Sequence, residues 1–292
     1  MEQGDASGII QCGQKGRRTH PFRRNPDALS QTLDKNGFML SGHDIRSAYF
    51  CFEHFDIIAF GINCSSGPAQ IERYIFELSG ISRFPLFVMP NAGFADENGY
   101  YDVSPDEFSR IILSYAEKGY INIAGGCCGT GPKHIEKLSI ALSQIKPRVY
   151  NNKSFFSVSH KISFSDIDTE APYIISERLN VLGSKRFKEL VDKNDVDGMI
   201  LLARDEIEKG IHMLDISFVS KEREELSDAK RFLFEISRSV KNPFSIDSTD
   251  INVFEYALKI TGGRLILNSV NFENGEEKAI MAMDVAQKYG AN

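Results

Sequence analysis

Tyr120-Ile121-Asn122-Ile123-Ala124-Gly125-Gly126-Cys127-Cys128-Gly129 sets two adjacent thiols between glycines at the end of a short apolar run. The run, 120–124, is rich in β-branched residues and bounded by glycine, which reads as a buried strand with the thiols leaving its carboxyl end. That end of a strand is where α/β barrels carry their chemistry. Packing rarely calls for neighbouring thiols on a glycine turn. A zinc ion does, since two thiolates supply half of its roughly four ligands. Cys64 offers a third in Phe60-Gly61-Ile62-Asn63-Cys64, at the end of another apolar run and followed by Ser65, Ser66, Gly67 and Pro68. Thiols that merely pack, and a closed structural zinc site, are the other readings of these cysteines. Three ligands from strand ends, rather than four in short pairs, leave a coordination position open for a substrate.

Working outward, Gly67 and Pro68 open a helix with Ile71, Tyr74, Ile75 and Leu78 on one face and Gly80 past its end. Residues 86–89 form the next strand and run into Pro90-Asn91-Ala92-Gly93, which puts Asn91 at a strand tip beside the cysteines. Asn91 reads as a turn residue or as a polar group for the metal or substrate. Ser104, Pro105 and Glu107 sign the next helix, with Phe108, Ile111, Ile112 and Tyr115 inward. Pro132 opens another, with Ile135, Leu138 and Leu142 inward. Strand and helix alternating at this spacing give parallel β/α units.

The 292 residues carry a net charge of −6 and 42% hydrophobic content, a globular balance with no general phosphate-binding field. Nucleic acid is therefore not the expected partner. No apolar run approaches the roughly 20 residues of a membrane span, and no signal-peptide core is visible, so the expected location is the cytoplasm. Five cysteines in such a compartment stay as thiols or metal ligands, leaving Cys12 and Cys51 spare. Cys51 and His54, although at helical spacing, read as packing and surface. Before Leu33, Arg17, Arg18, Arg23 and Arg24 lie among glycines and prolines without apolar period, so residues 1–30 are expected to be a flexible N-terminus. Ile45, Ala48, Tyr49 and Phe52 then give a helix before a strand at 57–62.

Gly-Ile-Asn-Cys64, Pro90-Asn91-Ala92-Gly93 and Gly-Gly-Cys127-Cys128-Gly, in that order, resemble the homocysteine S-methyltransferase barrel. The resemblance runs from about Thr32 to Pro147, the later strands of that barrel. It implies that Cys64, Cys127 and Cys128 hold zinc, that Asn91 touches homocysteine, and that the homocysteine thiol joins the metal and reacts as thiolate.

From 148 to 172 the pattern is irregular (Asn, Lys, Ser, Asp with Phe and Val) and is expected to be a linker. Residues 173–184 (YIISERLNVLGS) then resemble the opening of the pterin-binding barrel in the family of cobalamin-dependent methionine synthases. A helix at 199–209 and strands at 212–216, 243–248 and 265–270 continue the likeness. The resemblance implies that Asp247 and Asn268 hydrogen-bond the amide and amino edge of a pterin, with Glu177 and Asn180 beside them. Ser217 stands where that family usually has Asn.

The expected fold is therefore α/β, with two partial (β/α)8 TIM-barrel domains: 31–147 for homocysteine and zinc, 173–292 for the pterin, the latter ending where a fifth strand is due. The resemblance implies a methionine synthase-like S-methyltransferase segment using Zn2+, homocysteine and methyltetrahydrofolate. Cobalamin is expected on a separate module or chain, and a further chain is a candidate source of the missing barrel strands. A homocysteine S-methyltransferase with another methyl donor, and a non-catalytic truncated fragment, are the alternatives. Half barrels expose apolar edges, so little methyl transfer is expected from this chain alone.

Overall fold

The computed structural model describes residues 27–150, 157–161, 163–167, 172–272 and 275–292. The chain divides into two compact units, one from residues within 18–49 and 55–154, the other from residues within 50–54 and 155–292.

The first unit holds a four-stranded parallel sheet in the order β1 (Ala28–Gln31), β2 (Ala59–Cys64), β3 (Leu86–Pro90), β4 (Ile123–Ala124). Helices α2 (Pro68–Ile81), α3 (Pro105–Glu117) and α4 (Pro132–Leu142) follow β2, β3 and β4, and α1 (Ile45–Phe52) precedes β2. The run Ala59, Phe60, Gly61, Ile62 is buried throughout, as a strand covered on both faces must be. A Cβ on Gly61 would fall 2.2 Å from the Phe87 carbonyl oxygen, so this close approach to β3 requires glycine. The register pairs Cys64 with Pro90 and Val88 with Ala124, which brings three strand ends to one rim.

The expected inward faces of α2 and α3 are found, with Ile71, Tyr74, Ile75, Leu78, Phe108, Ile112 and Tyr115 buried, except that Ile111 is only half-buried. Ser104 caps α3, its hydroxyl accepting from Glu107 N at 3.3 Å. Gly80 does not end α2: the helix runs through it to Ile81 and Ser82 caps it.

Four further expectations for this half and the stretch after it are corrected. Residues 28–30, expected to be flexible, are strand, while 1–26 lie outside the described residues. Ala-Leu-Ser-Gln has no strand signature of its own, and parallel pairing with β2 supplies the order. The strand before the cysteines is two residues long, and Ile123 is 43% exposed, because β4 ends its sheet and pairs on one side only. On α4 only Leu138 is buried, and Ile135 faces outward.

The stretch expected as a linker contains a hairpin of the second unit, β5 (Ser157–His160) with β6 (Ser163–Asp166). Ser157, Val158, Ser159 and His160 are buried although mostly polar. Ser159 N–H donates to Arg264 O at 3.1 Å, and both His160 ring nitrogens lie 3.0 Å from backbone carbonyls, those of Gly262 and Ser237. Each buried polar group thus has a distant partner.

The second unit's main sheet is parallel and ordered β7 (Ile175–Asn180), β8 (Met213–Ser217), β9 (Phe244–Asp247), β10 (Ile266–Asn268). Helices α5 (Lys185–Lys193) and α6 (Val196–Glu208) lie between β7 and β8. α7 (Glu225–Ser239), α8 (Ile251–Thr261) and α9 (Glu276–Tyr289) follow β8, β9 and β10. Leu214, Ile216, Phe244 and Ile246 of the sheet meet Phe187, Phe232, Ile236, Phe254 and Tyr289 of the helices in one core. The four strands and the helix read from sequence at 199–209 are present within a few residues of their expected bounds.

Helix α9 is tied to α8 through Glu255, which accepts from Lys288 Nζ at 2.8 Å and from the Tyr289 hydroxyl at 2.8 Å. These contacts, Lys288 first, hold the Glu255 carboxyl down to about 2. A carboxylate lowered on folding stabilises the fold above its unfolded value near pH 4.3 and loses that contribution as pH falls through the folded value. The C-terminal helix of the wild type is therefore expected to loosen between about pH 5 and 2. Glu255→Gln should show a smaller change over this window, measured as hydrogen exchange of α9 amides; equal acid sensitivity in both proteins would count against the contact.

Candidate metal and ring-binding sites

The rim of the first sheet is assembled by backbone hydrogen bonds together with the hydroxyls of Ser65 and Thr130. Cys64 and Ser65 both sit at positive φ, 53° and 66°. For non-glycine residues this is a costly left-handed turn of the kind functional sites retain. It is held by Leu33 N–H donating to Ser65 Oγ at 2.7 Å and by that hydroxyl donating to Asn63 O at 3.2 Å. The cysteine loop hangs from β3: Cys127 N–H donates to Pro90 O at 2.8 Å and Ala92 N–H to Cys128 O at 2.8 Å. Thr130 Oγ1 closes the turn by donating to Cys127 O at 2.6 Å.

This framework brings the sulfur atoms of Cys64, Cys127 and Cys128 within 4.8 Å of one another. Cys64 and Cys127 are 2.6 Å apart and Cys127 and Cys128 4.0 Å, all three as free thiols. Cys128 is exposed and the other two are half-buried, so the cluster opens to solvent on one side. The Cys64 thiol is pushed up to about 12, first because it donates to Cys127 and then by burial. Cys127 moves the opposite way, since its thiolate accepts that hydrogen bond. The two shifts run in opposite directions across one shared hydrogen bond, and full deprotonation of three adjacent sulfurs needs a cation. Three thiolates open on one side form a donor set suited to zinc and other thiophilic metals.

Asn91 lies at the same rim, with Oδ1 accepting from Cys128 N–H at 3.2 Å. Its carbonyl group therefore positions the cysteine loop. Cys51 is buried in α1, as expected of a packing thiol.

The rim of the second sheet carries amides and carboxylates. Asn180 Nδ2 donates to Asp247 Oδ2 at 3.1 Å, and Asn268 Nδ2 donates to Asp215 Oδ1 at 3.3 Å. The Asp247 carboxyl lies above its ordinary range, pushed up first by burial and then by Asp215, with the Ser217 hydroxyl opposing the shift. Ser217 thus turns to Asp247. Glu177 is exposed but close enough to add to the same upward push. Asp247, Asn268 and Asn180 come together at this rim, where the carboxylates of Asp247 and Asp215 are the acceptors.

Two candidates were not singled out from sequence. Asp215 is 3% exposed in the middle of Met-Leu-Asp-Ile-Ser, and a carboxylate inside a strand that reads as buried was the available signal. Tyr101 reaches the first rim from a loop, for which periodicity gives no signal. Among the described residues, no helix is long and apolar enough to cross a membrane.

Residues 10–142 match the homocysteine S-methyltransferase family and residues 176–292 the pterin binding enzyme family. The methionine synthases of Mycobacterium tuberculosis (strain ATCC 25618 / H37Rv) and Mycobacterium leprae (strain TN) are each 30% identical to this chain over 96% of its length. The chain spans 24% of the length of either relative. Among solved structures, a type I 3-dehydroquinate dehydratase from Clostridium difficile aligns over 90% of this chain and 93% of its own, at 13% identity and a TM-score of 0.29, too slight a likeness to assign a fold.

Proposed function

Since the chain reads as a partial methionine synthase, with residues 10–142 from the homocysteine S-methyltransferase family and 176–292 from the pterin-binding family, we propose that it is a methyl-transferase segment. In this reading zinc and homocysteine bind at the first rim and methyltetrahydrofolate at the second. The observation that carries it is the convergence of three free thiols within 4.8 Å at the rim of a parallel sheet. Each main sheet runs strand by strand in chain order, as a β/α barrel wall does, which supports two partial barrels at 31–147 and 173–292.

Cys64, Cys127 and Cys128 would hold the zinc, whose chemistry here is to lower the pKa of an incoming thiol so that it reacts as thiolate. Asn91 and Thr130 keep Cys127 and Cys128 in place. At the second rim Asp247 accepts from the amide and amino edge of the pterin, and Asn268 offers both a donor and an acceptor. Asn180 and Ser217 orient Asp247 for that contact. Cobalamin, the expected methyl carrier, would come from a separate module or chain.

Homocysteine added to the zinc-loaded protein near neutral pH should release about one proton per site, whereas methionine, which has no thiol proton, should release none. Weakly buffered stopped-flow with a pH indicator reads this. Equal or absent release with the two amino acids would contradict thiol activation.

A further inference from the structure

The turns after β3 and β4 are closed into one ring of contacts that begins and ends at Cys128. Ala92 N–H donates to Cys128 O at 2.8 Å, and Val103 N–H donates in turn to Ala92 O at 2.9 Å. His134, the third residue of α4, joins the ends: Gly131 N–H donates to its Nδ1 at 3.1 Å, and its Nε2 lies 3.2 Å from Val103 O. From Gly131 the backbone runs back through Thr130 and Gly129 to Cys128. The partners decide the tautomer. An amide N–H can only donate and a carbonyl can only accept, so Nδ1 is the bare nitrogen and Nε2 carries the proton. An edge-on contact with Phe108, ring centres 5.5 Å apart at 88°, holds the imidazole in this orientation.

Half of this arrangement is ordinary helix capping. Gly131 offers α4 no side-chain cap, and a side chain at the third helical position reaching back to the N-cap N–H is what a capping box supplies. The other half is not capping. The bond from Nε2 to Val103 O leaves the helix for the β3–α3 loop, and that loop holds the Cys128 peptide on both sides, through Ala92 N–H and through Asn91 Oδ1, which accepts from Cys128 N–H at 3.2 Å. Cys128 is the exposed member of the thiol cluster, so its sulfur is placed by the backbone it hangs from and not by packing.

We infer that His134 is a positioning residue for the metal site: its Nε2–H, by holding Val103 O, keeps the β3–α3 loop on the Cys128 peptide and so keeps the third thiolate aimed at the metal. The inference rests on the three-cysteine zinc reading.

Two replacements separate the two roles. His134→Gln keeps both, since its side-chain carbonyl can accept from Gly131 N–H while its amide donates to Val103 O. His134→Glu keeps the cap but turns a carboxylate, with no proton to donate, toward the Val103 carbonyl. Zinc affinity, measured by competition with a chromophoric chelator, should stay near the wild-type value in His134→Gln and fall about 5- to 10-fold in His134→Glu, the worth of one lost hydrogen bond. In the cobalt-substituted proteins the thiolate-to-metal charge-transfer absorption per bound cobalt should be kept in His134→Gln and reduced in His134→Glu. Hydrogen exchange of the α4 amides should be alike in the two variants, because both cap the helix. Equal zinc affinities in the two variants would overturn the assignment and leave the three-cysteine site standing, and so would a loss of affinity in His134→Glu that comes with fraying of α4. Absence of metal binding in the wild type would overturn the zinc reading and this inference with it.

Discussion

Replacing Cys127 by alanine is expected to lower bound zinc from about one equivalent to nearly none. Cys127 is the hub of the cluster, with its sulfur 2.6 Å from that of Cys64 and 4.0 Å from that of Cys128. Without it the remaining sulfurs are two separate ligands. Metal analysis after dialysis against a mild chelator reads the result, and Cys51→Ala, a change at a buried thiol in α1, is the control that should keep its zinc. Equal zinc in wild type and Cys127→Ala would remove the assignment. Proton release on adding homocysteine should vanish in the same variant, because it depends on the metal.

The second large effect is expected at the other rim, where Asp247→Ala should weaken methyltetrahydrofolate binding about 10- to 100-fold, the cost of losing hydrogen bonds to a charged acceptor. Asp247→Asn should fare little better, since it puts a donor where the ring edge also donates. Titration calorimetry measures both. Zinc content and homocysteine-linked proton release should be unchanged, because the two rims belong to different units with separate ligands. The wild type adds a pH test. The Asp247 carboxyl is raised by burial and by Asp215, so it takes up a proton at higher pH than an ordinary aspartate. Pterin binding should accordingly be lost, as pH falls, before the ordinary carboxylate range is reached, and binding that stays level down to that range would show that ionised Asp247 is not the acceptor.

The readable part of the molecule was the part with local signals. Pro105 and the Ser104 cap announced α3, the apolar stripe of Ile71, Ile75 and Leu78 announced α2, and glycine next to cysteine at the end of an apolar run announced the thiol rim. Contacts between distant segments were not readable. Ala28–Gln31 becomes a strand because β2 pairs with it, and no property of Ala-Leu-Ser-Gln says so. Ser157, Ser159 and His160 look like linker residues, yet they are buried because Arg264, Gly262 and Ser237 satisfy them from far along the chain. Tyr101 and Gly129 become neighbours only after β3, its loop and β4 are in place. Asp215 was legible in principle, as a lone carboxylate in a strand whose every residue is buried.

X-ray absorption at the zinc edge tests the central claim most directly. For the protein alone the account predicts a coordination shell with about three sulfurs at ~2.3 Å, and with homocysteine present one sulfur more at a similar distance. A shell dominated by nitrogen or oxygen, or a sulfur count that homocysteine leaves unchanged, would contradict it.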